Sequence, residues 1–119
     1  MIDTQKLQHE LKQFTGTEQY YKNPLFSSFV FTDGVKYLAE QAEAYWLIDY
    51  VMSNQYDLYL AIEPFQIWTI KVTNNQANIV VEDGNGKELK KYNIAFTDFP
   101  LDEITLWFTD RTLLLPSEY

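Results

Sequence analysis

Apolar side chains recur at helical spacing near the start of the chain. Leu7, Leu11 and Phe14 lie at i, i+4 and i+7, which places them along one side of an α-helix. Asp3 or Thr4 can accept hydrogen bonds from the free N–H groups of the first turn. The pattern therefore predicts an N-terminal amphipathic helix.

A second and longer helical pattern covers Gly34 to Asn54. Its residues are mainly good helix formers, and neither Pro nor Gly interrupts it. Thr32 and Asp33 precede it and can cap its first turn. Steps of three and four place one set of side chains on a single face: Leu38, Ala42, Tyr45, Trp46, Asp49, Met52 and Ser53. Because further apolar residues widen this face, we expect one long, central helix covered on more than one side.

After Pro64 the apolar period changes from helical to two, which is typical of half-buried strands. Short polar turns separate the runs, at Asn74-Asn75, at residues 83–86 and at Asp110-Arg111. Such short connections join antiparallel neighbours, so residues 66–115 are expected to form a meander. The side chains expected to point inward are Trp68, Ile70, Ile79, Val81, Ile94, Phe96, Leu106 and Phe108.

These patterns together predict an α+β fold. The N-terminal helix and the long central helix would pack on a C-terminal antiparallel β-meander of four to five strands. No linker-like stretch divides the chain, so residues 1–119 are interpreted as one domain.

Composition and charge narrow the classes of partner. Without cysteine the chain has neither disulfides nor thiolate metal ligands, and no apolar run approaches the roughly 18 residues of a membrane span. Seventeen acidic residues against nine basic ones give a net charge of −8, which disfavours nucleic acid and anionic membranes. Residues 25–65 hold six of the acidic residues and one basic residue. We therefore expect a soluble, cytoplasmic protein.

Few residues offer chemistry. His9 is the only histidine, so a histidine-based metal cluster is excluded and neither a metal nor a cofactor is expected. The tripeptide Phe-Thr-Asp occurs three times and ends in Asp33, Asp98 and Asp110. The simpler interpretation is that each Thr-Asp pair closes a strand or starts a helix. The alternative is that these aspartates converge as a site for a hard cation.

Asp49 is the most informative single residue. It lies four positions after Tyr45 and three after Trp46, on the apolar face of the predicted helix. A carboxylate in that position has to be hydrogen-bonded, paired or protonated. We interpret it as a buried structural anchor, with a catalytic acid or base and an exposed side chain as the alternatives.

Aromatic residues in polar surroundings are candidates for partner binding. Trp107 points opposite Leu106 and Phe108 in its strand pattern, and four tyrosines lie in polar segments: Tyr20, Tyr21, Tyr56 and Tyr59. Exposed Trp and Tyr side chains are frequent anchors of protein interfaces. The alternative for Trp107 is a second packed layer, in which the first helix covers that side of the sheet.

Several segments resemble a family of small bacterial and phage proteins known only as a domain of unknown function. The segments are FTGTE (14–18), TDGVKYLA (32–39), AYWLID (44–49), FQIW (65–68), TDFPL (97–101) and LLPSEY (114–119). The resemblance extends over nearly the whole chain. It implies one compact domain in a bacterial or phage setting, and it carries over no activity, cofactor or catalytic residue.

The function expected from the sequence is non-catalytic. A protein-interaction or accessory role, in a phage or mobile-element context, fits the exposed aromatics and the absence of catalytic spacing. The partner would be a protein of unknown identity, and a homodimer is an open alternative. The competing hypothesis is a small-molecule or metal-dependent enzyme that uses Asp49 with the Phe-Thr-Asp aspartates.

Overall fold

A computed structural model of the protein describes residues 3–119. Its four α-helices are α1 (Thr4–Leu11), α2 (Asp33–Gln41), α3 (Tyr45–Ser53) and α4 (Leu58–Ala61). Its strands are β1 (Tyr20–Lys22), β2 (Val30–Thr32), β3 (Phe65–Thr73), β4 (Gln76–Glu82), β5 (Glu88–Ile94), β6 (Glu103–Thr109) and β7 (Thr112–Leu114). Two 3₁₀ turns, Asn54–Tyr56 and Pro116–Glu118, complete the secondary structure. The α+β class is confirmed, whereas the predicted helices and sheet need correction.

The single long helix predicted from Gly34 to Asn54 is wrong. The segment forms α2 and α3, each of nine residues, and the chain turns between them at Glu43. Glu43 adopts a left-handed φ of 52°, and the N–H of Ala44 bonds the carbonyl of Ala39 at 2.8 Å. This is the six-to-one bond that ends many helices, usually with glycine in the left-handed position. Because glutamate stands there instead of glycine, no residue type in the segment marks the break.

The predicted meander of four to five strands is also wrong. The structure has one seven-stranded mixed sheet in the order β1-β2-β7-β6-β3-β4-β5, with β2 parallel to β7 and all other neighbours antiparallel. Strand β6 does not follow β5 in space but returns to pair with β3, which is the order of a Greek key. The crossover, residues 95–102, passes the β3–β4 turn, where Thr97 donates to the carbonyl of Asn75 at 2.8 Å.

The predicted turns are confirmed, and their geometry explains the pairing. Asn74 and Asn75 have φ of 52° and 61°, and Asp110 and Arg111 have 51° and 59°. Two left-handed residues in succession make the type I′ turn that matches the twist of a two-residue hairpin. These turns fix the registers of β3 on β4 and of β6 on β7.

One face of the sheet carries the helices and the core. Six of the eight side chains predicted to point inward are buried there: Trp68, Ile70, Ile79, Val81, Leu106 and Phe108. Ile94 is only half-buried, and the prediction for Phe96 is wrong, since 74% of its surface is exposed. Phe96 lies two residues beyond Ile94, the last residue of β5, and belongs to the crossover, so the alternation of the strand does not extend to it.

Candidate functional site

Four of the nine large exposed hydrophobic side chains among residues 3–119 lie in or beside α4. In residues 56–62, Leu60 is completely buried and four large side chains face solvent: Tyr56 (62% exposed), Leu58 (83%), Tyr59 (42%) and Ile62 (74%). We call these four residues the α4 patch. Leu58 and Ile62 are four positions apart and therefore share one side of the turn. Clustered exposure of this kind, unlike isolated surface leucines, marks interaction sites in soluble proteins.

A buried polar network holds the α4 patch against the sheet. The side-chain amides of Gln55 and Gln66 bond each other reciprocally at 2.9 and 2.8 Å. Gln66 also donates to the carbonyl of Leu60 at 2.9 Å and accepts from the Trp68 indole N–H at 2.9 Å. Gln66 and Trp68 are at most 1% exposed. Because these groups satisfy one another away from water, the network fixes the position of the turn that carries the patch.

A second network extends this surface toward residues 24–29. The side chain of Asn23, which is 1% exposed, donates to Asp49 Oδ1 at 2.8 Å. Its amide oxygen Oδ1 accepts from the main-chain N–H groups of Leu25 and Phe26. The ring of Phe26 lies 6.0 Å from that of Tyr56, and Leu25 is 73% exposed. Asn23 thus orders the loop beside the α4 patch, and Asp49 orients Asn23.

Asp49 itself is half-buried on α3. Among residues 3–119, the hydrogen-bond partner of its side chain is Asn23, which donates to Asp49 Oδ1. Its helical position predicts a buried structural anchor, and a role of Asp49 in positioning Asn23 stays a prediction to be tested by substitution.

Charged groups border the α4 patch. Lys90 on β5 lies 3.2 Å from Asp57 Oδ2, and its ammonium is 5.6 Å from the centre of the Tyr59 ring. The hydrogen bond from the Tyr59 N–H, and to a smaller extent the one from Lys90, holds the pKa of Asp57 below its ordinary value. Asp57 therefore stays ionised at neutral pH and pairs with Lys90, so Glu63 leaves one net negative charge at the rim of the patch.

One known protein family matches this chain. Residues 5–119 match DUF6876, a family of unknown function. This chain belongs to DUF6876. No curated protein and no solved structure matches it.

Two of the tyrosines predicted as partner contacts lie on β1 of this DUF6876 protein, away from α4. Tyr20 is 62% exposed. Tyr21 is half-buried, stacks on Phe31 with ring centres 5.7 Å apart, and donates its hydroxyl to Asp33 Oδ1 at 2.8 Å. That bond raises the pKa of the Tyr21 phenol above its ordinary value. The structure thus separates Tyr20 and Tyr21 from Tyr56 and Tyr59.

Trp107 lies on the face of the DUF6876 sheet opposite the helices. The side chain is half-buried, and the rings that pack on it belong to Phe65 and Tyr119, with centres 5.1 and 5.3 Å away. The first helix does not supply this layer: Leu7 and Leu11 of α1 are buried in the core on the other face. Trp107 therefore belongs to an aromatic cluster separate from the α4 patch.

The Phe-Thr-Asp aspartates do not come together. Asp33 starts α2, Asp98 is exposed on the crossover, and Asp110 occupies the β6–β7 turn. Asp98 precedes β6 and Asp110 follows it, so the length of this strand lies between them. Strand β2 runs parallel to β7, so Asp33 lies beyond the end of β2 that is far from Asp110. Within residues 3–119, no three His, Cys, Asp or Glu side chains are grouped so as to hold a metal ion. In the same range, no helix has the length and apolar character needed to cross a membrane.

Leu58 and Ile62, the most exposed members of the α4 patch, were not among the residues predicted from the sequence to contact a partner. A signal was available: Asp57 can cap a helix and Pro64 ends it, so only a very short helix fits between them. Asp57 does accept from the Tyr59 N–H at 2.8 Å. In the single turn of α4 only Leu60 points into the core, and its neighbours remain in solvent.

Proposed function

We propose that this protein is a non-catalytic binding domain that docks on a partner protein through the α4 patch. The observation that supports this is the clustering of four large exposed side chains, Tyr56, Leu58, Tyr59 and Ile62, on a turn that buried hydrogen bonds hold in place. A preorganised apolar surface loses little conformational entropy on binding, which is a property of effective interfaces.

Charge favours a different protein over a second copy of this chain. Each copy carries a net charge of −8, and the charged groups that border the patch, Asp57, Glu63 and Lys90, leave one net negative charge there. A two-fold contact through the patch would bring these carboxylates toward their own equivalents, which is unfavourable. The fitting partner presents an apolar groove bordered by lysine or arginine side chains.

The decisive experiment compares affinity capture by three proteins: the parent, Leu58→Asp/Ile62→Asp, and the control Phe96→Asp. Phe96 is 74% exposed, as is Ile62, but it lies on the crossover and not in the patch. We expect the parent and the control to retain one basic protein that the double variant loses. With that protein purified, the double variant should bind at least about 30-fold more weakly, since two central contacts are worth roughly 2 kcal/mol or more.

Two results would contradict the proposal. One is equal affinity of the parent and the double variant for every purified partner. The other is a parent that sediments as a dimer which Leu58→Asp/Ile62→Asp converts to a monomer, because the patch would then be a self-association surface. Circular dichroism of both variants checks that the fold is retained; it should be, since the substituted side chains are mostly in solvent.

A further inference from the structure

A groove separate from the α4 patch lies between the second half of α1 and the first half of β6. It has a volume of about 430 Å³. Its apolar lining comes from Leu11, Leu101, Ile104 and Leu115, and Gln8 and Lys12 of α1 stand on one wall. The groove is therefore apolar at its base and polar at its margin.

Strand β6 presents unpaired main-chain groups to this groove. The Val72 N–H bonds the Asp102 carbonyl at 2.8 Å, which extends the β3–β6 register and shows that even-numbered residues of β6 bond β3. Main-chain groups of successive residues in a strand point to opposite edges. Those of Glu103 and Thr105 consequently point away from β3, into the groove that both residues line.

The neighbouring strand stops too early to satisfy these groups. Strand β7 pairs with β6 only as far as Leu114 opposite Trp107, and continued pairing would set residue 116 opposite Thr105. Residue 116 is proline, which has no N–H to donate. The N–H of Leu115 points away from β6 in this register and bonds Glu118 Oε1 at 3.0 Å. Among residues 3–119, no main-chain partner is recorded for Glu103 or Thr105 on this edge.

We propose that this groove binds an extended peptide segment of a partner protein, which adds as a short strand beside Glu103–Thr105. Its main chain would supply the hydrogen bonds that β7 leaves unmade, and its side chain next to Ile104 would enter the apolar base of the groove. A bound helix would leave the Glu103 and Thr105 groups unsatisfied, because its own main-chain groups already bond one another.

Local features favour the groove over the outer edges of the sheet. Strand β5 carries Lys90 and Lys91 and strand β1 carries Lys22, and lysines on edge strands are a common protection against strand addition. The charged residues that line the groove are Glu103 on β6 and Lys12 on α1, and the chain as a whole carries a charge of −8. Peptides with a basic residue next to Glu103 should accordingly bind better than peptides with an acidic residue there. This proposal does not depend on the α4 patch.

The test uses a phage-displayed library of linear ten-residue peptides selected on the parent protein. The matched variants are Gln8→Trp, which fills the groove from an exposed position, and Gln5→Trp, which adds the same ring to an exposed part of α1 that does not line it. We expect selected peptides to bind the parent and Gln5→Trp equally and Gln8→Trp at least tenfold more weakly. In the complex, amide hydrogen exchange at Glu103 and Thr105 should slow by at least tenfold.

Thr105→Pro adds a test of the hydrogen bonds. It removes an edge N–H that no described residue uses, and proline is tolerated at such positions. Its peptide binding should fall by at least tenfold. The proposal would be overturned if every selected peptide bound Gln8→Trp as tightly as the parent. It would also be overturned if the bound peptide were helical or left amide exchange at Thr105 unchanged. If Thr105→Pro does not fold, the Gln8→Trp and exchange results still decide.

Discussion

Glu118 caps the start of α2 across 84 residues of sequence: its Oε2 accepts the main-chain N–H of Gly34 at 3.0 Å. Its Oε1 accepts from the Thr32 hydroxyl at 2.6 Å and from the Leu115 N–H at 3.0 Å. A carboxylate at a helix N-terminus satisfies free N–H groups and complements the helix dipole. This contact ties the turn after β7 to α2, and it also shapes the side of the groove where Leu115 lies.

Substitution of Gly34 should reveal how closely Glu118 approaches. A Cβ on Gly34 would lie 2.6 Å from both Glu118 Oε1 and Leu115 Cδ1, so both side chains would have to move. Gly34→Ala should lower the free energy of unfolding by about 1–3 kcal/mol, despite the better helix propensity of alanine. Denaturant unfolding measures this. Gly16→Ala is the control, since its Cβ would meet nothing within 4 Å; equal stability of the two variants would contradict the close packing.

The Gln66 network should be more important for stability than its exposed neighbours. Gln66→Leu keeps the volume but leaves the Trp68 indole N–H and the amide of Gln55 without their partner. We expect a loss of about 3 kcal/mol in unfolding free energy, because buried polar groups would be stranded. Tryptophan fluorescence during urea unfolding, to which Trp46, Trp68 and Trp107 all contribute, measures the change in unfolding free energy. Gln76→Leu, at an exposed strand position, should differ from the parent by less than about 0.5 kcal/mol.

Asn23 should contribute more to stability than Asp49. Asn23→Ala removes four recorded contacts, to Leu25, Phe26, Asp49 and Met52. The expected loss is about 3 kcal/mol, against about 1–2 kcal/mol for Asp49→Ala. Asp49→Asn should cost less than Asp49→Ala, since its amide oxygen can still accept from Asn23.

A double-mutant cycle checks the pair. Because Asn23 and Asp49 are hydrogen-bonded, the losses in the double variant should not add. Additive losses would show that Asp49 does not position Asn23, and the role inferred from the sequence would then be wrong.

Acid should weaken the fold partly through Asp33. Hydrogen bonds from the Glu18 N–H and then from the Tyr21 hydroxyl hold the pKa of Asp33 below its ordinary value. Because the folded pKa is the lower one, the stabilisation is present above the unfolded pKa of about 3.9 and is lost as pH falls through the folded pKa. Asp33→Asn should therefore be less stable than the parent at pH 7, and the difference should shrink toward pH 2.

Melting temperatures measured from pH 7 to pH 2 test this. Asp98→Asn serves as the control, because Asp98 is exposed. Parallel curves for the parent and Asp33→Asn would mean that the bonds to Glu18 and Tyr21 do not form in solution.

The break between α2 and α3 offers a stabilising substitution. Glu43 has a φ of 52°, a left-handed conformation that costs residues with a Cβ roughly 1–2 kcal/mol. Glu43→Gly should raise the unfolding free energy by up to about 1 kcal/mol, whereas Glu40→Gly within α2 should lower it by a similar amount. Thermal unfolding of the pair distinguishes the left-handed turn from a continuous helix, in which both glycines would destabilise.

The sequence by itself determined the local structure. Helical spacing at Leu7 and Leu11, the alternation through Trp68 and Ile70, and the two-residue turn at Asn74-Asn75 each depend on neighbours a few positions away. Such signals are local in the chain, so they predicted the α+β class, the main strands and most of the core. They also placed Tyr56 and Tyr59 among the candidates for partner binding.

The tertiary structure alone decided the strand order, the helix break and the grouping of surface residues. The alternation within β6 is compatible with pairing to β5 or to β3. The contact of Thr97 with Asn75 and the packing of the crossover place β6 beside β3. The capping of Gly34 by Glu118 spans 84 residues, a separation at which no sequence pattern operates. The α4 patch and the groove at Thr105 likewise depend on where distant segments stop pairing, because only the packed structure determines which apolar side chains and edge N–H groups remain in solvent.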